Sequence, residues 1–99
     1  MKLIIARSAL HDLQSIREHY AELAVPGIGQ EFVGAILQKV QRLIDHPDSG
    51  RQVPEFGQEQ IREIIHPPFR IVYLRDSSAV SVIRVWRSER VLLLPEDEA

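Results

Sequence analysis

The sequence predicts an α+β fold of two layers, an antiparallel helical hairpin lying on one face of a sheet. Three observations predict it. Apolar residues recur at helical spacing in two stretches before Gly50, the period shortens to β-like alternation after Gly50, and a brief apolar run opens the chain. At 99 residues, 44% hydrophobic and without cysteine, residues 1–99 make one domain with one core and no disulfide framework.

Leu3-Ile4-Ile5-Ala6 has strand length, and it has to join the sheet because an isolated strand leaves its backbone groups unpaired. Ser8 suits a helix N-cap, with Asp12 near the positive end of the dipole. Leu10, Leu13, Ile16, Tyr20 and Leu23 then form one helical face, and Val25-Pro26-Gly27 breaks that helix. Phe32, Val33, Ile36, Leu37, Val40, Leu43 and Ile44 mark a second helix, ended at His46-Pro47-Asp48-Ser49-Gly50. The link is short enough for an antiparallel pair. Residues 51–60 read as a strand-poor connection. Ile61–His66, Phe69–Arg75 and Ala79–Arg87 read as a three-stranded antiparallel meander, turning at Pro67-Pro68 and Asp76-Ser77-Ser78. In its last arm, alternation puts Val80, Val82, Arg84 and Trp86 on one face and Ser81, Ile83, Val85 and Arg87 on the other.

The net charge of −2, from 12 Lys+Arg against 14 Asp+Glu, argues against a strong binder of nucleic acid or anionic membrane, but the distribution is uneven. Residues 61–90 carry six arginines (62, 70, 75, 84, 87 and 90) against Glu63, Asp76 and Glu89, a local +3. Glu96-Asp97-Glu98 follows in a tail, residues 96–99, expected to be flexible. Arginine forks grip carboxylate or phosphate at two points, so the stretch reads either as a solvated sheet face or as a patch for an acidic partner or nucleic acid.

Several chemistries drop out. His11, His19, His46 and His66 have no metal-ligand spacing, so no metal is expected, and His11 and His19 belong on the exposed side of the first helix. There is no thiol nucleophile and no Gly-x-Ser-x-Gly elbow. Gly27-Ile28-Gly29 follows a helix and lacks a third glycine, so no phosphate-binding loop and no cofactor are implied. The opening apolar run is too short for a signal peptide, and no run approaches the ~20 residues of a membrane span. General acid–base cleavage of RNA remains open. It needs a base, an acid and cations on the phosphate, for which the strands offer His66, Glu63 and the arginines.

The blocks Ser8-Ala9-x-x-Asp12-Leu13-x-x-Ile16, Pro47-x-x-Gly50-Arg51-x-Val53-Pro54-Glu55, Ile61-Arg62-Glu63-Ile64, Phe69-Arg70-Ile71-Val72-Tyr73 and Val85-Trp86-Arg87-Ser88-Glu89-Arg90 come in an order that resembles the RelE/ParE toxin superfamily, also called plasmid stabilisation proteins. The resemblance spans residues 3–94. It implies the fold reached above and a cytoplasmic bacterial toxin, paired with a cognate antitoxin whose acidic flexible segment wraps it. Within the superfamily, RelE-like members cleave mRNA on the ribosome. Arg70 matches their sheet arginine, but Ile61–His66 has no lysine and the C-terminal tyrosine position falls in the aliphatic Val91–Leu94. The ParE branch, whose members poison DNA gyrase, lacks that catalytic set and shares the Gly-Arg-x-Val-Pro-Glu block. The resemblance therefore favours a ParE-like inhibitor of growth acting on gyrase. A ribosome-dependent nuclease using Arg70, His66 and Glu63 is the alternative, and a non-toxic antitoxin-binding member the second. The expected partner-binding set is Arg62, Arg70, Arg84, Trp86, Arg87, Arg90, Leu92, Leu93 and Leu94.

Overall fold

The computed structural model describes residues 1–87. Arg90, Leu92, Leu93, Leu94 and the acidic tail lie outside the described residues. The elements are β1 (Lys2–Ile5), α1 (Arg7–Glu22), α2 (Pro26–Gln41), a 3-10 turn (Arg42–Ile44), β2 (Arg51–Gln52), β3 (Ile61–His66), β4 (Phe69–Arg75) and β5 (Ala79–Arg87). The expected α+β class holds. The sheet is mixed and five-stranded, ordered β1-β5-β4-β3-β2. β1 does join it, running parallel to β5, while β3, β4 and β5 form the antiparallel meander. A further strand lies inside the connection read as strand-poor, where Arg51 and Gln52 pair with Glu63 and Arg62.

The helical hairpin is tighter than the sequence suggests. Pro26 is not a breaker but the first residue of α2, where its missing N–H costs nothing and its fixed φ suits the helix. The turn is absorbed at Ala24, whose φ of 65° is unusual for a residue with a side chain. At Gly29 an added Cβ would lie 3.2 Å from Tyr20 Cβ and 3.3 Å from Arg17 Cα, so the helices approach closely there. The buried stripe of α1 is Ala9, Leu13 and Ile16 with Tyr20 beside it, whereas Leu10 and Leu23 are exposed. Small Ala9 lets the helix sit close on the sheet. Val33, Ile36, Val40 and Leu43 complete the helical side and meet Phe69, Ile71, Tyr73, Val80, Val82 and Val85. Burial of each of these larger side chains contributes about 1.5–3 kcal/mol.

Strict alternation fails in β5. Val72 pairs with Arg84 and Tyr73 with Val82, so Ile83 is an extra residue, a β-bulge. The bulge resets the period, and Val80, Val82 and Val85 all face the helices. It falls where β5 loses its neighbour: β1 covers Ala79–Val82 only, and Ala6 N–H donates to Val82 C=O before the chain turns into α1.

The bare edge beyond is covered by side chains from α1. Ser8 is not the N-cap; Ala6 occupies that position, and Ser8 Oγ instead donates to Ile83 C=O at 2.6 Å. Asp12 accepts the Val85 N–H at 2.9 Å and the Arg84 fork at 2.8 and 3.1 Å. Two polar residues of α1 thus satisfy edge groups that would invite another strand. Replacing Asp12 with alanine leaves an N–H and a guanidinium without their acceptor. An expected loss of about 1–3 kcal/mol should appear as a lower urea midpoint at unchanged slope.

Candidate functional site

Two features concentrate the polar chemistry, and they lie in different parts of the sheet. The first is an ion-pair network under the loop between β2 and β3. Glu63 is buried on the sheet face away from the helices, with Oε1 accepting from Arg70 Nε at 2.6 Å and Oε2 from Arg51 Nε at 2.7 Å. The terminal nitrogens of Arg70 donate to both oxygens of Glu55 at 2.8 and 2.9 Å. Buried Val53 carries the loop down onto the sheet beside this network. The Glu55 carboxyl is lowered from 4.5 to about 2, chiefly by the hydrogen bonds from Arg70. Because the folded value is depressed, the stabilisation is complete above the ordinary carboxylate value and is lost as pH falls toward about 2. Acid unfolding should therefore include a limb between about pH 4.5 and 2 that is flattened in Glu55→Gln, measured by far-UV circular dichroism.

Tyr73 joins the helical side to the same loop. Its hydroxyl is buried, donates to Pro47 C=O at 2.8 Å and accepts the Gly50 N–H at 3.0 Å. Burial pushes this phenol above its usual value. Arg62 donates to Gly50 C=O at 2.9 Å, and the Asp48 carboxylate lies 3.7 Å from Arg62 and 2.6 Å from Arg75.

The nuclease candidates are not assembled around an open site. Arg70 and Glu63 are bonded to each other and to further partners, leaving Arg70 4% exposed. His66 alternates onto the opposite face, edge-on to Phe32 with ring centroids 6.4 Å apart. Its Nδ1 is buried without a hydrogen-bond partner among the described residues, and burial, with Lys39 nearby, keeps the ring below its ordinary basicity.

The second feature is a groove of about 730 Å³ between α1 and the end of β5, with Tyr20, Phe69, Arg84, Trp86 and Arg87 in its lining. The Arg84 guanidinium lies 5.0 Å from the Trp86 ring centre, that of Arg87 5.6 Å from Phe69, and Arg87 Nη1 is 3.5 Å from Tyr20 Oη. The exposed His11 and His19 line its helical side. Of the predicted partner-binding residues, Arg84, Trp86 and Arg87 come together here. Arg62 and Arg70 are held elsewhere by Asp48, Glu55, Glu63 and Gly50, so the local +3 is not one patch. Tyr20 and Asp12 were missed as members of this site. Asp12 stands in the first family block and Tyr20 on the apolar face of α1, but neither placement says which strand the helix meets.

Comparison with known proteins follows the same blocks. A search of curated proteins returned no match. Among solved structures, the chain is similar to one described as the chromosomal ParDE TA system from P. aeruginosa, at 25% identity and a TM-score of 0.74, covering 88% of this chain and 95% of that one. The family described as "ParE toxin of type II toxin-antitoxin system, parDE" matches residues 3–92, which include the edge-covering residues of α1, the buried network and the groove. The chain belongs to the ParE toxin family of type II toxin–antitoxin systems, within the RelE/ParE superfamily.

Proposed function

We propose that this protein arrests bacterial growth by binding DNA gyrase in the cytoplasm, and that a cognate antitoxin neutralises it by covering the same surface. One observation carries this reading. The groove presents Tyr20, Trp86 and two arginines together, the residue types that anchor protein–protein interfaces, while Arg70 and Glu63 are bound to one another. A site that cuts RNA needs cations and a proton carrier facing the substrate. A site that binds a protein needs amphipathic anchors that pre-exist in a fixed arrangement. The second description fits the groove.

The direct test is a supercoiling assay with purified gyrase. Inhibition by the isolated protein is expected, and relief on adding the antitoxin. Absence of inhibition, together with cleavage of mRNA on translating ribosomes, would favour the nuclease reading, in which Arg70→Ala abolishes cleavage. Absence of both, with the folded protein confirmed in cells that grow normally, would leave a non-toxic antitoxin-binding protein. Trp86→Ala removes the aromatic anchor under Arg84 without touching the core. It should weaken partner binding by about tenfold or more in titration calorimetry, with far-UV circular dichroism unchanged.

A further inference from the structure

We infer that the surface meeting the target protein extends beyond the groove to an apolar knob at the tip of the helical hairpin, where Leu23, Val25 and Ile28 seat in a preformed apolar pocket with a basic rim. The identity of the target rests on the functional reading above. The place and chemistry of the contact do not.

Residues 21–28 are exposed without a break, and none from Leu23 to Ile28 carries a charge. Leu23, Val25 and Ile28 are 57%, 38% and 42% exposed. Single exposed apolar side chains are ordinary, whereas neighbouring ones held out of the core mark a contact surface. The tip is also fixed. α1 ends in a Schellman turn, in which Ala24 N–H donates to Ala21 C=O at 3.0 Å and Val25 N–H to Tyr20 C=O at 2.9 Å. Ala24 takes the left-handed conformation at a position where glycine is usual, and Pro26 opens α2 with its φ locked. The three apolar side chains thus hold one arrangement before any partner arrives, and little ordering entropy is lost on binding.

Helical spacing places the knob on the groove side of the hairpin. Asp12, Ile16 and His19 line the groove at spacings of 4 and 3, and Leu23 continues them with a further 4. On α2, Phe32 packs against Tyr20 and Phe69 of the groove, with ring centroids 5.5 and 5.1 Å away. Ile28 precedes Phe32 by one turn on the same side. From Asp12, which holds Arg84, to Leu23 the strip runs about 16 Å along α1. Leu10 is 53% exposed but lies on the opposite flank of α1, beside Arg17 and Leu37.

Shape and charge select the occupant. A protruding, fixed knob needs a concavity, which a folded protein offers in advance and an extended segment does not. Glu22 and Glu31 flank the apolar residues, and neither side chain has a hydrogen bond or ion pair to another described residue. Cations around the receiving pocket would meet them. The same carboxylates oppose an anionic bilayer, and they would face one another if two copies met knob to knob.

The test is binding of the full-length protein to immobilised purified gyrase by surface plasmon resonance, with inhibition of supercoiling measured alongside. Leu23→Ser and Ile28→Ser should each weaken binding by about tenfold or more, and Glu31→Lys by about fivefold. Leu10→Ser removes an equally exposed side chain from the other flank and should bind within about twofold of the parent. All four positions are exposed, so melting temperatures should stay near that of the parent. The two knob serines sit on different helices, so a variant that melts early leaves the other to decide. The inference is overturned if both knob variants bind like the parent, or if Leu10→Ser loses as much as they do. Inhibition by the parent with undiminished knob variants removes the knob and keeps the toxin reading. A parent that neither binds nor inhibits gyrase removes the toxin reading, and with it the partner assigned to the knob.

Discussion

Glu63→Gln is expected to destabilise the protein by about 3 kcal/mol, measured as a lower urea midpoint at neutral pH with an unchanged slope. The carboxylate is 1% exposed and each oxygen accepts from a different arginine. Removing its charge leaves the buried Arg70 guanidinium with a neutral amide on one side and only the part-exposed Glu55 carboxylate on the other, so desolvation of that cation is less fully offset. Glu55→Gln touches the same guanidinium but should cost much less, at most about 1 kcal/mol, because its carboxylate side is 41% exposed and water replaces it. A Glu63 variant as mild as the Glu55 one would mean that the network is solvated and that Arg70 is available to a substrate.

Gly50→Ala is the second large effect. A Cβ at this position would lie 2.6 Å from Glu63 O, 2.7 Å from Tyr73 Oη and 2.8 Å from Tyr73 Cε1. One of these is backbone and the others belong to a ring fixed by two hydrogen bonds, so nothing nearby gives way without losing a bond. Overpacking with loss of the Tyr73 bridge should cost about 2–4 kcal/mol, a fall in melting temperature of order 10 °C or more for a domain of this size. Gly27→Ala and Gly34→Ala provide the contrast. Both lie in α2 with open space where the Cβ would go, and alanine favours a helix over glycine by about 1 kcal/mol, so both should melt at or above the parent.

These two residues also show why the family blocks stand out in the sequence before their purpose does. Gly50-Arg51, Glu55, Arg62-Glu63, Arg70 and Tyr73 are spread over more than twenty residues, and nothing in their spacing joins them. In the fold they are one cluster: Tyr73 bridges Pro47 and Gly50, Arg62 holds Gly50, and Glu63 joins Arg51 to Arg70, which holds Glu55. The arginines that looked like a binding face are mostly internal ties. Among the described residues, the groove by β5 lies outside this cluster.

The order of strand, helices and meander follows from periodicity in the sequence alone, because local spacing decides which side of a helix or strand is apolar. The family follows too, since its blocks keep their order along the chain. Tertiary structure decided the rest. Ser8 and Asp12 serve a strand about seventy residues away, a pairing that local propensity does not encode. The bulge at Ile83 depends on β5 matching β4, so an alternation count taken along one strand assigned the wrong face to Val85. Arg70 and Glu63 had the residue types of a catalytic site. Their burial against each other depends on how the loop from Val53 to Gln60 folds over the sheet, and a charge's availability is set by the acids that long-range contacts bring beside it.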